Sequence, residues 1–235
     1  MLTRTLLIFS CLIFSFQLSA KTIWSDYSLT YLNGQSYEVG DTDREVLTFE
    51  HVNGTTWGGS FMFFDRLESS NGDNETYGEF TARIKLKEMN GFIKNVYFVP
   101  SVEIGALDTV SGFSNSFTNY LYGVGVDLAI PHFKFFQLNT FFRNNQSGEN
   151  SYQATFVWAI PLGPLQYDGF LDWTTSTDDK ESSMNFTSQL KYDIAPHVGL
   201  DSKLFVGLEY VFWNNKFGID GVDERNANLL VKYHF

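Results

Sequence analysis

From Arg225 to Phe235 the chain alternates. Ala227, Leu229, Val231, Tyr233 and Phe235 are apolar, and Asn226, Asn228, Lys232 and His234 stand between them, with Leu230 the one exception. Alternation with a period of two puts one face of a strand against apolar surroundings and the other against water. The stretch has about the 9–11 residues that a tilted strand needs to cross a bilayer. The pattern recurs upstream. Tyr27, Leu29 and Tyr31 share a face, as do Leu47 and Phe49. Phe80, Ala82, Ile84 and Leu86 oppose Glu79, Thr81, Arg83 and Lys85. Tyr120, Tyr122, Val124, Val126 and Leu128 oppose Asn119, Gly123, Gly125 and Asp127, and the runs 133–143, 151–160, 165–174, 184–194 and 203–213 behave alike. Residues 56–66 are apolar on both faces, so their direction stays open, and Pro100 in the run 92–103 is expected near a strand end or at a bulge.

Counting these runs predicts an all-β chain of about twelve strands, an even number that returns both ends to one side. The connections support closure. Long polar segments at 34–44, 67–76, 104–116, 144–150, 175–183 and 214–224 alternate with short ones at 54–55, 89–91, 131–132 and 161–164 and a longer one at 195–202. A Greek-key sandwich has no reason to alternate long and short links. A transmembrane up-and-down antiparallel β-barrel does, with tight turns on one rim and longer loops on the other. Tyr152, Tyr167, Trp173, Tyr192, Tyr210, Phe212, Tyr233 and Phe235 fall near strand ends on the apolar face. Aromatic rings favour that headgroup level in a membrane.

Residues 1–20 look like a secretory signal peptide: Arg4, an apolar run from Leu6 to Phe16, and Leu18-Ser19-Ala20 before Lys21. The barrel domain is then 21–235. The single cysteine, Cys11, lies inside the signal, so no disulfide is expected in the exported chain. Without Arg4 that chain is one charge more acidic than the −11 of the whole sequence. Such acidity argues against a nucleic-acid polymer as partner. The predicted location is the outer membrane of a Gram-negative cell. The expected partners there are membrane lipids, lipopolysaccharide and, through the closing Phe235 strand, the barrel-assembly machinery; the expected state is a monomer.

If the apolar faces meet lipid, the opposite faces line a lumen wider than the filled interior of an eight-stranded barrel. Charged and amide side chains would line it, together with Phe133, Phe135, Phe141, Phe170 and Trp213, and with Tyr97, Trp57, Phe61 and Phe63. An aromatic ring beside hydrogen-bonding groups suits a flat ring that carries a sugar. The same residues could equally plug the bore. The histidines, His51, His132, His197 and His234, do not combine with a serine and an acid on facing strands, so no enzyme is expected. Nor is a metal or other cofactor expected, since no ligand spacing of His or Cys appears.

Several segments, in order, resemble one family. They are Trp24-Ser25-Asp26-Tyr27-Ser28-Leu29, Trp57-Gly58-Gly59-Ser60-Phe61-Met62-Phe63-Phe64-Asp65, Glu79-Phe80-Thr81-Ala82-Arg83-Ile84 and Leu121-Tyr122-Gly123-Val124-Gly125-Val126-Asp127, followed by the terminal strand. The chain resembles the nucleoside-specific channel-forming outer-membrane proteins, the Tsx-like family. The resemblance implies a narrow channel for nucleosides, with Trp57, Phe61, Phe63, Glu79, Arg83 and Asp127 at the solute. The rival reading is a structural or adhesive barrel without a conducting pore.

Overall fold

A computed structural model describes residues 21–235; the expected signal peptide lies outside them. Twelve antiparallel strands close into one barrel, each bonded to its neighbours in sequence and β1 to β12. They are β1 (Thr22–Gly34), β2 (Arg44–Thr55), β3 (Gly58–Ser69), β4 (Asn74–Glu88), β5 (Ile93–Asp108), β6 (Ser114–Leu128), β7 (Phe135–Asn144), β8 (Ser151–Leu162), β9 (Leu165–Thr174), β10 (Ser183–Asp193), β11 (Leu204–Asn214) and β12 (Glu224–His234). A single helical turn, α1 (Ala195–Val198), follows β10. No helix among the described residues is long and apolar enough to cross a membrane. The crossing is made by strands, whose closure leaves no unpaired edge in lipid.

The alternation reads out directly as two faces. On β12, Leu229 is 65% exposed while its neighbour Asn228 is 1% exposed. Tyr31, Leu47, Tyr122, Trp173 and Tyr210 join Leu229 on the outside, forming an apolar belt that in water would be a large exposed patch and in lipid is the transmembrane surface. Leu230, the exception to the alternation, points inward, where it packs with Leu32, Val46 and Tyr37. Trp158 lies over Gly169 on the outer face and stacks on Phe186, centroids 5.4 Å apart.

Three expectations change. The segments 67–76 and 104–116 are mostly strand: β4, β5 and β6 run for 15, 16 and 15 residues, against 10 for β7 and for β9. Polar composition looks like loop, but cross-strand bonds hold the extensions, as where Arg66 donates to Asn74 Oδ1 at 2.6 Å and to Thr76 Oγ1 at 3.3 Å. Pro100 stands inside β5 rather than near its end. Lacking an N–H, it leaves no paired register with β4 between Thr81–Ser101 and Ile84–Phe98. Ser101 Oγ donates to the Phe80 carbonyl there at 3.2 Å. Phe133 sits in the β6–β7 connection and packs edge-on against outward-facing Phe136 at 5.4 Å, so it does not line the lumen.

Candidate functional site: the lumen

The register fixes which side chains share the interior. One inward row crosses Glu50, Phe63, Glu79, Glu103 and Asn119 on β2 to β6; the next, toward the mouth opposite the chain ends, crosses Thr48, Asp65, Tyr77, Gly105 and Phe117. Most charges along these rows are paired within the wall. Arg143 from β7 meets Glu103 from β5 through two bonds of 2.6 Å and also donates to Gln153. Arg83 donates to Asp127 Oδ1 at 2.6 Å, while Asn95 and Tyr97 hold the other oxygen at 2.9 and 2.6 Å. Lys191 meets Asp168 at 2.7 Å, and Lys232 meets Glu50. Asn226 donates to Asn228, which donates to Glu209, which accepts from Gln189. Such networks pair most of the buried charges within the wall and stiffen it.

Two sectors are packed solid. Over β10–β12 and β1, Glu224, Asn226, Asn228 and Thr30 are almost wholly buried. Over β5–β7, Tyr97, Val99, Leu121 and Phe141 form a second buried cluster, with the Arg83 guanidinium over the Tyr97 ring at 4.1 Å. Glycines permit this closeness: a Cβ on Gly123 would lie 1.7 Å from the Thr140 carbonyl oxygen, and one on Gly125 2.3 Å from Asn139 Oδ1. Between those sectors the side chains of β3, β4, β8 and β9 stay half-open to the interior, among them Phe63, Tyr77, Glu79, Val157, Phe170 and Asp172. Glu79 and Asp172 take part in no ion pair among the described residues, and each is close enough to feel Glu103 electrostatically. Asp65 Oδ1, Asn139 Oδ1 and Arg83 Nε and Nη2 have no protein partner either.

The mouth opposite the chain ends is narrowed by a loop. Residues 35–43 fold inward so that Tyr37 is 7% exposed among Leu32, Val46 and Leu230. The Arg44 guanidinium lies 5.1 Å from its ring and the Lys216 ammonium 5.8 Å. Lys216 comes from the β11–β12 loop and pairs with Glu224 at 2.5 Å, and Glu224 also accepts the Glu38 N–H at 2.9 Å. Burial, with Glu209 and Glu224 nearby, pushes the Tyr37 phenol above its usual range. Burial pulls the Lys216 ammonium below its own. Asp41 latches this loop to the next, accepting from Ser70 Oγ at 2.6 Å and the Asn71 N–H at 2.8 Å, and these bonds hold its carboxyl below the ordinary range.

Of the six residues singled out in the sequence, five face the lumen. Phe61, Phe63 and Glu79 stand together on β3 and β4, while Arg83 and Asp127 form their ion pair closer to the end that carries the termini. Trp57 does not join them: it lies in the β2–β3 turn, where its carbonyl accepts the Lys85 N–H at 2.8 Å. Sequence reasoning missed Tyr77 and Phe117, although parity with Glu79 and Asn119 marks both as inward. It also missed Tyr37, for which a loop leaves no periodic signal.

No protein-family profile matches the chain and no curated protein matches it in sequence, so the Tsx-like resemblance has no support from either comparison. Solved structures do match. A KdgM porin in complex with disordered oligogalacturonate superposes with a TM-score of 0.52 at 13% identity, over 90% of this chain and 99% of that one. A second KdgM porin structure gives 0.52 at 12% identity with the same coverage. The Acinetobacter baumannii outer membrane protein Omp33 gives 0.47 at 7% identity, over 89% and 98%. What is shared is the fold. At such identity it carries no solute across.

Proposed function

We propose that the protein is a monomeric outer-membrane channel for passive diffusion of small hydroxylated solutes that carry a flat ring, with nucleosides as the first candidates. The half-open wall carries this reading: Phe61 and Phe63, ring centroids 5.8 Å apart, stand directly beside Glu79. A base or other flat ring stacks on such aromatics while carboxylates and amides accept its hydroxyls. The barrel's likeness to KdgM porins is compatible with a channel. A polyanion such as the oligogalacturonate named with that porin fits poorly, because the half-open wall meets it with the carboxyls of Glu79 and Asp172, while the nearby Arg143 is already paired with Glu103. Non-enzymatic transport, export by the N-terminal segment, insertion through the Phe235 strand and contact with lipopolysaccharide belong to the same proposal. The test is single-channel conductance of the refolded protein in planar bilayers, titrated with adenosine and thymidine. Saturable reduction of current, absent with free ribose, is expected; steady current indifferent to nucleosides would remove them as solutes.

One observation favours a second reading. The packed sectors and the buried Tyr37 also suit a structural or adhesive barrel whose bore stays shut. Folded, heat-modifiable protein that never conducts would establish that reading instead.

A further inference from the structure

The lumen aromatics do not stop at a pair. Phe61, Phe63, Tyr77 and Phe117 form a row of four rings with successive centroid separations of 5.8, 5.7 and 6.4 Å. The row begins on β3, steps to β4 and crosses β5 to reach β6 near the loop-bearing mouth. Crossing β5 depends on Gly105, which separates Tyr77 from Phe117 in one register row; a Cβ there would lie 2.3 Å from Phe117 Cε1. A single nucleoside occupies one such ring. A continuous row suits a solute that presents a ring at every step.

We propose that the row is a binding track for linear, uncharged oligosaccharides, which slide from ring to ring by stacking the apolar faces of their sugars. The chemistry on both sides of the track agrees. Sugar rings offer C–H faces to an aromatic π-face and edge hydroxyls to acceptors. Acceptors flank the row: the Tyr77 hydroxyl donates to Glu79 Oε1 at 2.5 Å, which orients that carboxylate beside the rings. Glu79 and Asp172 form no ion pair among the described residues, and the nearby Arg143 is already bound to Glu103 through both terminal nitrogens, so the track offers uronate carboxylates no free cation beside Glu79. This inference rests on the channel reading for transport, although not for binding.

Equilibrium binding and conductance together separate the two. Refolded full-length barrel in detergent is titrated calorimetrically with uncharged β-1,4-glucan oligomers of increasing length, with oligogalacturonates of matched length and with adenosine. Affinity for the uncharged series is expected to rise about five-fold per added ring until the row is filled, the low end of stacking one ring on an aromatic side chain. Oligogalacturonates should not bind. Tyr77→Ala should flatten the length dependence, and Tyr77→Phe, which keeps the ring, should restore it. Adenosine binding without length-dependent glucan binding overturns the track and leaves the nucleoside channel standing. Length-dependent binding to a barrel that never conducts supports the track and removes the channel.

Discussion

The Arg143–Glu103 pair offers the sharpest test of how the lumen wall is held. Glu103 is buried, its side chain 5% exposed, and Arg143 covers it with both terminal nitrogens. Asn119 adds a bond of 3.1 Å to the same carboxylate, and Glu79 faces it directly across the β4–β5 register. Replacing Arg143 by Met removes the charge while roughly keeping the volume. Glu103 then remains buried beside Glu79 with one amide for company. Removing one member of a buried pair typically costs about 3–5 kcal/mol. The Glu103→Gln change alone leaves Arg143 with Gln153 and with nearby Glu79 and Asp172, so it should cost less, about 1–3 kcal/mol. The double variant strands neither member of the pair as a lone buried charge and should lose much less than the two single changes combined, with a coupling of about 2–3 kcal/mol. Urea unfolding of the refolded barrel in vesicles, followed by tryptophan fluorescence, measures all three. Additive losses, or an Arg143→Met loss under about 1 kcal/mol, would refute the claim that this pair organises the wall.

Other expectations are more local. Tyr37→Ala should enlarge single-channel conductance by opening the mouth, at a stability cost of about 3 kcal/mol; unchanged conductance would show that the loop does not restrict the bore. Gly123→Val should destabilise by about 3 kcal/mol or more, because its Cβ meets a backbone carbonyl that no rotamer change can move; denaturant midpoints decide it. Leu229→Arg, at the middle of β12 on the outer face, should cost about 2–4 kcal/mol in bilayers, and an unaltered unfolding curve would contradict the assigned face. Asp41 is held below the ordinary carboxylate range in the folded loop, so its contribution is present above its unfolded value and lost as pH falls through the folded one. Pepsin should therefore begin to cut residues 35–43 below about pH 4, and Asp41→Asn should be cut without that pH dependence.

Most of the barrel was legible because the period of two is a local property. Apart from 56–66, the runs from Tyr27 to Phe235 carry their own in–out assignment, and the exception, Leu230, turned inward to join a small apolar cluster. Strand length was less legible: Glu68, Asn74 and Thr76 look like loop residues, yet they extend the β3–β4 hairpin, where Arg66 bonds across to Asn74 and Thr76 in a way no single segment reveals. Pro100 was expected near an end or at a bulge for a sound reason, its missing N–H, and the sheet absorbs the loss inside β5 by opening one stretch of the β4–β5 ladder. At the site, parity was enough to turn Glu79, Arg83 and Asp127 inward, whereas Phe61 and Phe63 lie in the run whose direction only the register with β2 and β4 decides. Parity could not say that Arg83 and Asp127 satisfy each other, nor that Phe117 reaches Tyr77 over Gly105. Those facts depend on register between strands distant in sequence.

The lumen is thus divided by the way its charges are spent. Where cations are available, at Arg83, Arg143, Lys191 and Lys232, acids are neutralised in place and the wall packs tight. Along β3 and β4 the inward positions of the half-open stretch are given to aromatic rings, Thr81 and the carboxyls of Asp65 and Glu79 instead, and among the described residues no lysine or arginine pairs with Glu79. Packing that strip as solidly would need a cation paired with Glu79, and among the described residues none is. Free carboxylates carry a desolvation cost that a purely structural plug would avoid by pairing or replacing them. Keeping them beside the row of rings is what the proposed solute track asks of this wall.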